Sequence, residues 1–125
     1  MKTKFFIIFV VIVVLLVGGL GIFLNKDNFK PSKLEGFAQC LKSSGATFYG
    51  AFWCPHCQEQ KAEFGSAAKF LPYVECSNPD NTQTQACIDK KIESYPTWIF
   101  KDGSVVTGKM EIKDLAEKTQ CILPQ

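Results

Sequence analysis

The 125 residues carry 14 lysines, 12 acidic side chains and no arginine, for a formal charge of +2 that belongs entirely to Lys2 and Lys4. The remainder is neutral, with 12 lysines against 12 acids; nucleic-acid binding wants a basic face with arginine forks, so that class is excluded. One small domain is all the length allows.

From Phe5 to Leu24 every side chain is apolar or glycine, matching the ~20 residues a helix needs to cross a ~30 Å hydrocarbon core. Lys2, Lys4 and the terminal amine precede the run. The positive-inside rule then leaves the N-terminus cytoplasmic and everything from Asn25 onward outside. A cleaved signal peptide is the competing reading, with Phe5–Val17 as its apolar core and Gly19-Leu20-Gly21 as a weak cleavage site. Both readings agree on the compartment. The organisation expected is an anchor or signal at 1–25, a linker at 26–33 and a folded domain at 34–125.

In the domain, Pro31-Ser32 opens a helix with Leu34, Phe37, Ala38 and Leu41 at helical spacing and Gly45 as its stop. Thr47 to Trp53 is a nearly all-apolar strand, as expected of one buried on both faces. Pro55 is the first residue of a helix reaching about Phe70, with Lys61 and Glu63 on its solvated face. Pro72–Cys76 is a short strand, Ser77–Thr84 a loop and Gln85–Lys91 a short helix. Tyr95-Pro96 leads into the strand Thr97–Phe100; Asp102-Gly103 turns the chain into Ser104–Thr107. Glu111–Thr119 closes as a helix on Ile112, Leu115 and Ala116. Phe37, Phe64, Phe70 and Trp98 are core candidates. A β-α-β unit followed by a hairpin and a helix makes an α/β sandwich with a mixed sheet.

Cys54 and Cys57, in Trp53-Cys54-Pro55-His56-Cys57, sit where the first strand hands over to a helix. A Cys-x-x-Cys pair there brings two sulfurs within bonding reach and aims free backbone N–H groups at the first. Cys54 is expected to be the exposed, low-pKa thiolate and Cys57 the shielded resolving thiol. His56, when protonated, places a positive charge beside Cys54. Whatever stabilises the thiolate stabilises the reduced pair and makes the disulfide more oxidising, by ~30 mV for each pKa unit. A static disulfide would not need this setting. Zinc wants four ligands, whereas this chain offers one such pair and a single histidine. No metal and no cofactor is expected.

WCPHC followed by Tyr95-Pro96-Thr97 before a hairpin resembles the thioredoxin-fold proteins. More narrowly, FYGAFWCPHCQEQKAEFG, PYVECS and IESYPTWIF resemble the thioredoxin-like domain linked to bacterial homologues of vitamin K epoxide reductase. The resemblance implies a cis Pro96 packed against the redox pair, beside which the backbone receives a substrate strand. Trp53 then packs beside the site. It also implies a domain that gathers electrons from reduced exported proteins and passes them to a membrane thiol oxidase. The Pro55-His56 dipeptide is similar to that of the periplasmic oxidant of the Dsb type. Two departures stand out. Common thioredoxins carry a buried carboxylate six residues before the first cysteine, and here that residue is Phe48; their first strand is also absent or replaced by the opening helix.

All six cysteines lie in the exported part, where an even count reads as disulfides. The four outside the redox pair permit three pairings. The resemblance implies Cys76–Cys87, which leaves Cys40 with Cys121; alternatively Cys40 or Cys121 relays electrons or links to a partner. On the chain-entropy model the two loops are worth ~2.8 and ~4.5 kcal/mol.

The function expected is a membrane-anchored, extracytoplasmic thiol–disulfide oxidoreductase. Its substrates are reduced or misoxidised proteins, its partner is a membrane thiol oxidase of the vitamin K epoxide reductase type, and residues 5–24 contact the bilayer. A reductase or isomerase fed by a membrane donor, and a non-catalytic binding module, are the alternatives.

Overall fold

A computed structural model describes residues 1–24 and 32–125, as two units divided after Lys30. In the first, helix α1 covers Lys2–Leu24, with side chains described as far as Gly18. Among the described residues no helix is long and apolar enough to cross a membrane; the span expected at 5–24 extends beyond those side chains. The tether at 25–30 and most of the 26–33 linker lie outside the described residues.

In the second unit, which spans Pro31–Gln125, the first helix begins later than the sequence suggests. Ser32 Oγ accepts the Leu34 N–H at 3.2 Å, a local turn that competes with helix. Helix α2 therefore starts at Glu35 and runs to Ser43, burying Phe37, Ala38 and Leu41. Strand β1 is Thr47–Gly50, shorter than the expected run to Trp53. The chain turns instead, Cys54 N–H donating to Ala51 O at 3.0 Å. Helix α3 is Pro55–Phe64, not continuous to Phe70: Gly65 takes a φ of 54° and the chain tightens into a 3₁₀ turn over Gly65–Phe70. Then come β2 (Tyr73–Glu75), α4 (Gln85–Asp89), β3 (Thr97–Ile99), β4 (Val105–Thr107) and α5 (Ile112–Thr119).

The sheet order is β2-β1-β3-β4, with β1 parallel to β2 and antiparallel to β3. Register pairs Phe48 with both Tyr73 and Trp98. Because side chains alternate along a strand, these three share one face. Phe48 stacks on Trp98 at 4.7 Å and meets the Tyr73 ring edge-on at 5.2 Å. Phe37, Phe64, Leu41 and Leu115 complete that core, with Phe70 packed at its margin. Each fully buried side chain of this size contributes roughly 1.5–3 kcal/mol. On the opposite face Tyr49 packs with Cys76, Cys87 and Ile92.

Gln60 is fully buried among these hydrophobics. Its Oε1 accepts from Met110 N–H at 2.8 Å and Trp98 Nε1 at 3.3 Å, and its Nε2 donates to Met110 O at 2.9 Å. A buried amide is tolerated only when paired in this way. It fixes α3, and with it the start of that helix, against β3 and the approach to α5.

Candidate active site

Two of the six cysteines are free: Cys54, which caps α3, and Cys57, one turn in. The other four form the disulfides Cys40–Cys121 and Cys76–Cys87. Pro55 takes the first helical position, where a missing N–H costs nothing. Cys54 Sγ accepts the Cys57 N–H at 3.2 Å, so an unpaired donor of the helix end is spent on the sulfur that must carry negative charge.

Cys54 is not the exposed thiol expected: it is 4% accessible, because the Ala51–Cys54 turn folds Phe52 and Trp53 outward instead, 49% and 47% exposed. Cys57 is buried as expected, and burial, reinforced by its hydrogen bond with Cys54, pushes its thiol up to about 12. His56 lies on the solvent side of the same turn. Its ring is 69% exposed and Nδ1 faces Glu59 Oε2 at 3.3 Å; one helical turn onward is the natural reach of a side chain at this position.

Before β3, the Tyr95–Pro96 peptide bond is cis and Pro96 is fully buried. Thr97 Oγ1 donates to Ser94 O at 2.7 Å. Trp53 meets the Tyr95 ring edge-on at 5.8 Å, joining the segment before Cys54 to the segment before Pro96. Trp53 Nε1 also donates to Ser77 Oγ at 2.9 Å.

Two residues beneath the pair, Tyr73 and Glu75, were not singled out by sequence. Glu75 Oε1 accepts the N–H groups of Phe52 at 3.1 Å and Ser77 at 3.0 Å, and Glu75 Oε2 accepts the Tyr73 hydroxyl at 2.8 Å. Lys61 is not a freely solvated side chain: its Nζ lies 3.3 Å from the centre of the Tyr73 ring. Glu63, its expected neighbour in solvent, bonds Lys109 Nζ at 2.8 Å. The available signal was the i, i+2 spacing of Tyr73 and Glu75, which puts both on one face of β2. No group of three or more potential metal ligands is found among the described residues.

The thioredoxin family model matches residues 24–121. The chain belongs to the thioredoxin family. Within that family it is 50% identical, over 94 residues, to the thiol-disulfide oxidoreductase LTO1 of Arabidopsis thaliana. The match takes in 70% of this chain and 24% of LTO1, so the chain spans about a quarter of that relative's length. Among solved structures it is similar to Fasciola hepatica thioredoxin, at 18% identity and a TM-score of 0.43, covering 69% of this chain and 91% of that one. A sulfur pair at a strand–helix junction and a cis proline are thus both present here, their flanking residues joined by the Trp53–Tyr95 ring contact, with Phe48 in the strand that leads to the pair.

Proposed function

We propose that this protein is an extracytoplasmic thiol–disulfide oxidoreductase that takes electrons from substrate dithiols and passes them to a membrane thiol oxidase. The observation that carries the reading is the division of the cysteines. Four are closed in disulfides, and the two left as thiols share one helix N-terminus, with a backbone N–H on the first sulfur. Membership of the thioredoxin family and similarity to the Arabidopsis thiol-disulfide oxidoreductase support it.

In the oxidised enzyme, a substrate thiolate attacks Cys54 Sγ. The 54–57 bond breaks and Cys57 leaves with its electron pair. The second substrate thiolate attacks its own partner sulfur in the mixed disulfide, forming the substrate disulfide and releasing Cys54. The substrate loses two electrons and two protons, and the pair gains the electrons. For re-oxidation Cys54 attacks a disulfide of the membrane partner, and Cys57 then attacks Cys54, releasing the partner as a dithiol.

The oxidising direction is supported by the donor on Cys54 and the α3 dipole, both of which favour the reduced pair. The anchor is supported by α1, whose side chains from Phe5 to Val17 are apolar and exposed, behind Lys2 and Lys4. The vitamin K epoxide reductase type of partner rests on the motif resemblance. Substrate would dock beside Cys54, Trp53 and Pro96.

Thiol-oxidase assays on a reduced, unfolded protein test the reading: Cys54→Ser is expected to abolish activity, and full activity in that variant would sink the proposal. A pair potential near the −270 mV typical of thioredoxin would reverse the direction and favour the reductase reading. Resistance of the full chain to alkaline extraction from membranes is expected of the anchor; release into the supernatant counts against it.

A further inference from the structure

The mechanism makes a demand on Cys57 that the pair itself cannot meet. In the reduced pair, Cys54 is hydrogen-bonded to Cys57 and available to take its proton. In the mixed disulfide Cys54 is covalently occupied, so Cys57 must lose its proton to another group before it can attack. In the opposite direction Cys57 leaves as a buried thiolate and must recover one. Burial holds this thiol strongly to its proton. The position behind it, Phe48, is fully buried and carries no acceptor.

The ionisable groups facing Cys57 are few: Cys54 and Lys61 on the α3 side, and Tyr73 with Glu75 behind it on β2; Tyr49, the one ionisable residue of β1, packs on the opposite face of the sheet. Tyr73 is the closest of the β2 groups. A Cβ placed on Gly50 would lie 2.8 Å from Tyr73 Cε2 and 3.0 Å from Cys57 Sγ, so the phenol edge and the sulfur crowd the same point above a residue with no side chain. The two sulfurs also act electrostatically on the phenol, raising its pKa behind the larger effects of burial and the Glu75 hydrogen bond. The hydroxyl is committed as a donor to Glu75 Oε2, which leaves its lone pairs as the acceptor. Glu75 is itself held by the backbone of the active-site turn at Phe52 and of Ser77.

We propose that Tyr73 and Glu75 form a proton relay that serves Cys57 in place of the absent carboxylate at Phe48. Directly or across one water, the Cys57 S–H proton passes to Tyr73 Oη as the Tyr73 O–H proton passes to Glu75 Oε2. The thiolate then attacks Cys54 Sγ, and Glu75 returns the proton to solvent. The reverse sequence protonates Cys57 when it leaves. The phenol stays neutral throughout, consistent with a pKa raised above its ordinary value. Lys61, above the Tyr73 ring, stabilises the charge that appears on this side of Cys57. The relay rests on the thiol-exchange function proposed above.

The test is the two-step reaction of the reduced full chain with an aromatic disulfide whose released thiolate is coloured. Attack by Cys54 liberates one thiolate; attack by Cys57 on the resulting mixed disulfide liberates the second. In Glu75→Gln the remaining carbonyl oxygen can still accept from Phe52 and Ser77 but no longer takes a proton; in Tyr73→Phe the ring packing stays and the hydroxyl goes. Both variants are expected to slow the second release roughly ten- to hundred-fold at neutral pH, the lower part of the range for a lost proton-transfer group. Their second-step pH profiles should move to higher pH, with the first step unchanged and the double variant no slower than either single one. A second step with unaltered rate and pH profile in both variants overturns the relay and leaves the proposed function standing. Failure of the unaltered chain to form the Cys54 mixed disulfide at all overturns the function and the relay together.

Discussion

Two residues separate Cys54 from Cys57, yet the first sulfur accepts a backbone donor at the helix end while the second is governed chiefly by burial. Such asymmetry has a pH signature. The Cys57 thiol titrates near 12 in the folded reduced protein against an ordinary value of 9.0. Between those limits the unfolded chain has lost a proton that the native chain keeps, so stability falls as pH rises. The oxidised protein has no such group. Denaturant melts from pH 8 upward should show the reduced form losing stability relative to the oxidised form above about pH 9; parallel curves for the two forms would refute the burial of Cys57 as the cause. Gln60 gives a second prediction at this scale. Gln60→Leu keeps the volume but orphans Met110 N–H and O and the Trp98 indole. The expected loss is about 2–4 kcal/mol by chemical denaturation. What the sequence revealed at single residues was whatever depends on neighbours in the chain: the Cys54–Cys57 spacing, Pro55 at the helix start, Pro96 before a strand. Gln60 and Tyr73 escaped because their roles are set by where a side chain points after packing, which spacing alone does not encode.

Among the elements, helix α3 shows what terminates structure rather than what starts it. Its composition continues helical to Phe70, but Gly65 adopts a positive φ and the following turn is 3₁₀. A Cβ at Gly65 would meet nothing within 4 Å, so Gly65→Ala isolates the conformational cost, expected at about 1 kcal/mol; a neutral change in a thermal melt would mean the backbone relaxes. Gly50 is the contrasting case, with ordinary backbone but no room. Strand β1 was read too long for a related reason. Ala51–Trp53 has strand composition, yet the sheet has no partner for it beyond Gly50, whose own partner is Glu75, the last residue of β2. Strand existence was readable from apolar runs; strand length was decided by the neighbour.

For the whole domain, about a hundred residues bury a core of limited size, and two disulfides supplement it. Cys40–Cys121 joins α2 to the end of the chain across a separation of 81 residues, and Cys76–Cys87 closes a separation of 11. Replacing both cysteines of the first by serine is expected to cost about 4–5 kcal/mol, and of the second about 3 kcal/mol. Equal losses for both in the same denaturant series would contradict a loop-closure origin. The overall architecture was legible because the order of apolar runs and turns admits few sheet arrangements. The exact division of α2 from the preceding linker was not, since Ser32 forms a local turn rather than a cap.

Cys76 stands between Glu75, which grips the Phe52 backbone, and Ser77, which holds Trp53. The bond to Cys87 therefore underpins the very turn that presents Cys54. On the proposed function, a newly translocated copy with six reduced thiols is first a client of thiol oxidation and only later its agent. On that same proposal older molecules would mature younger ones, and the population would gain activity with the lag of a self-propagating process.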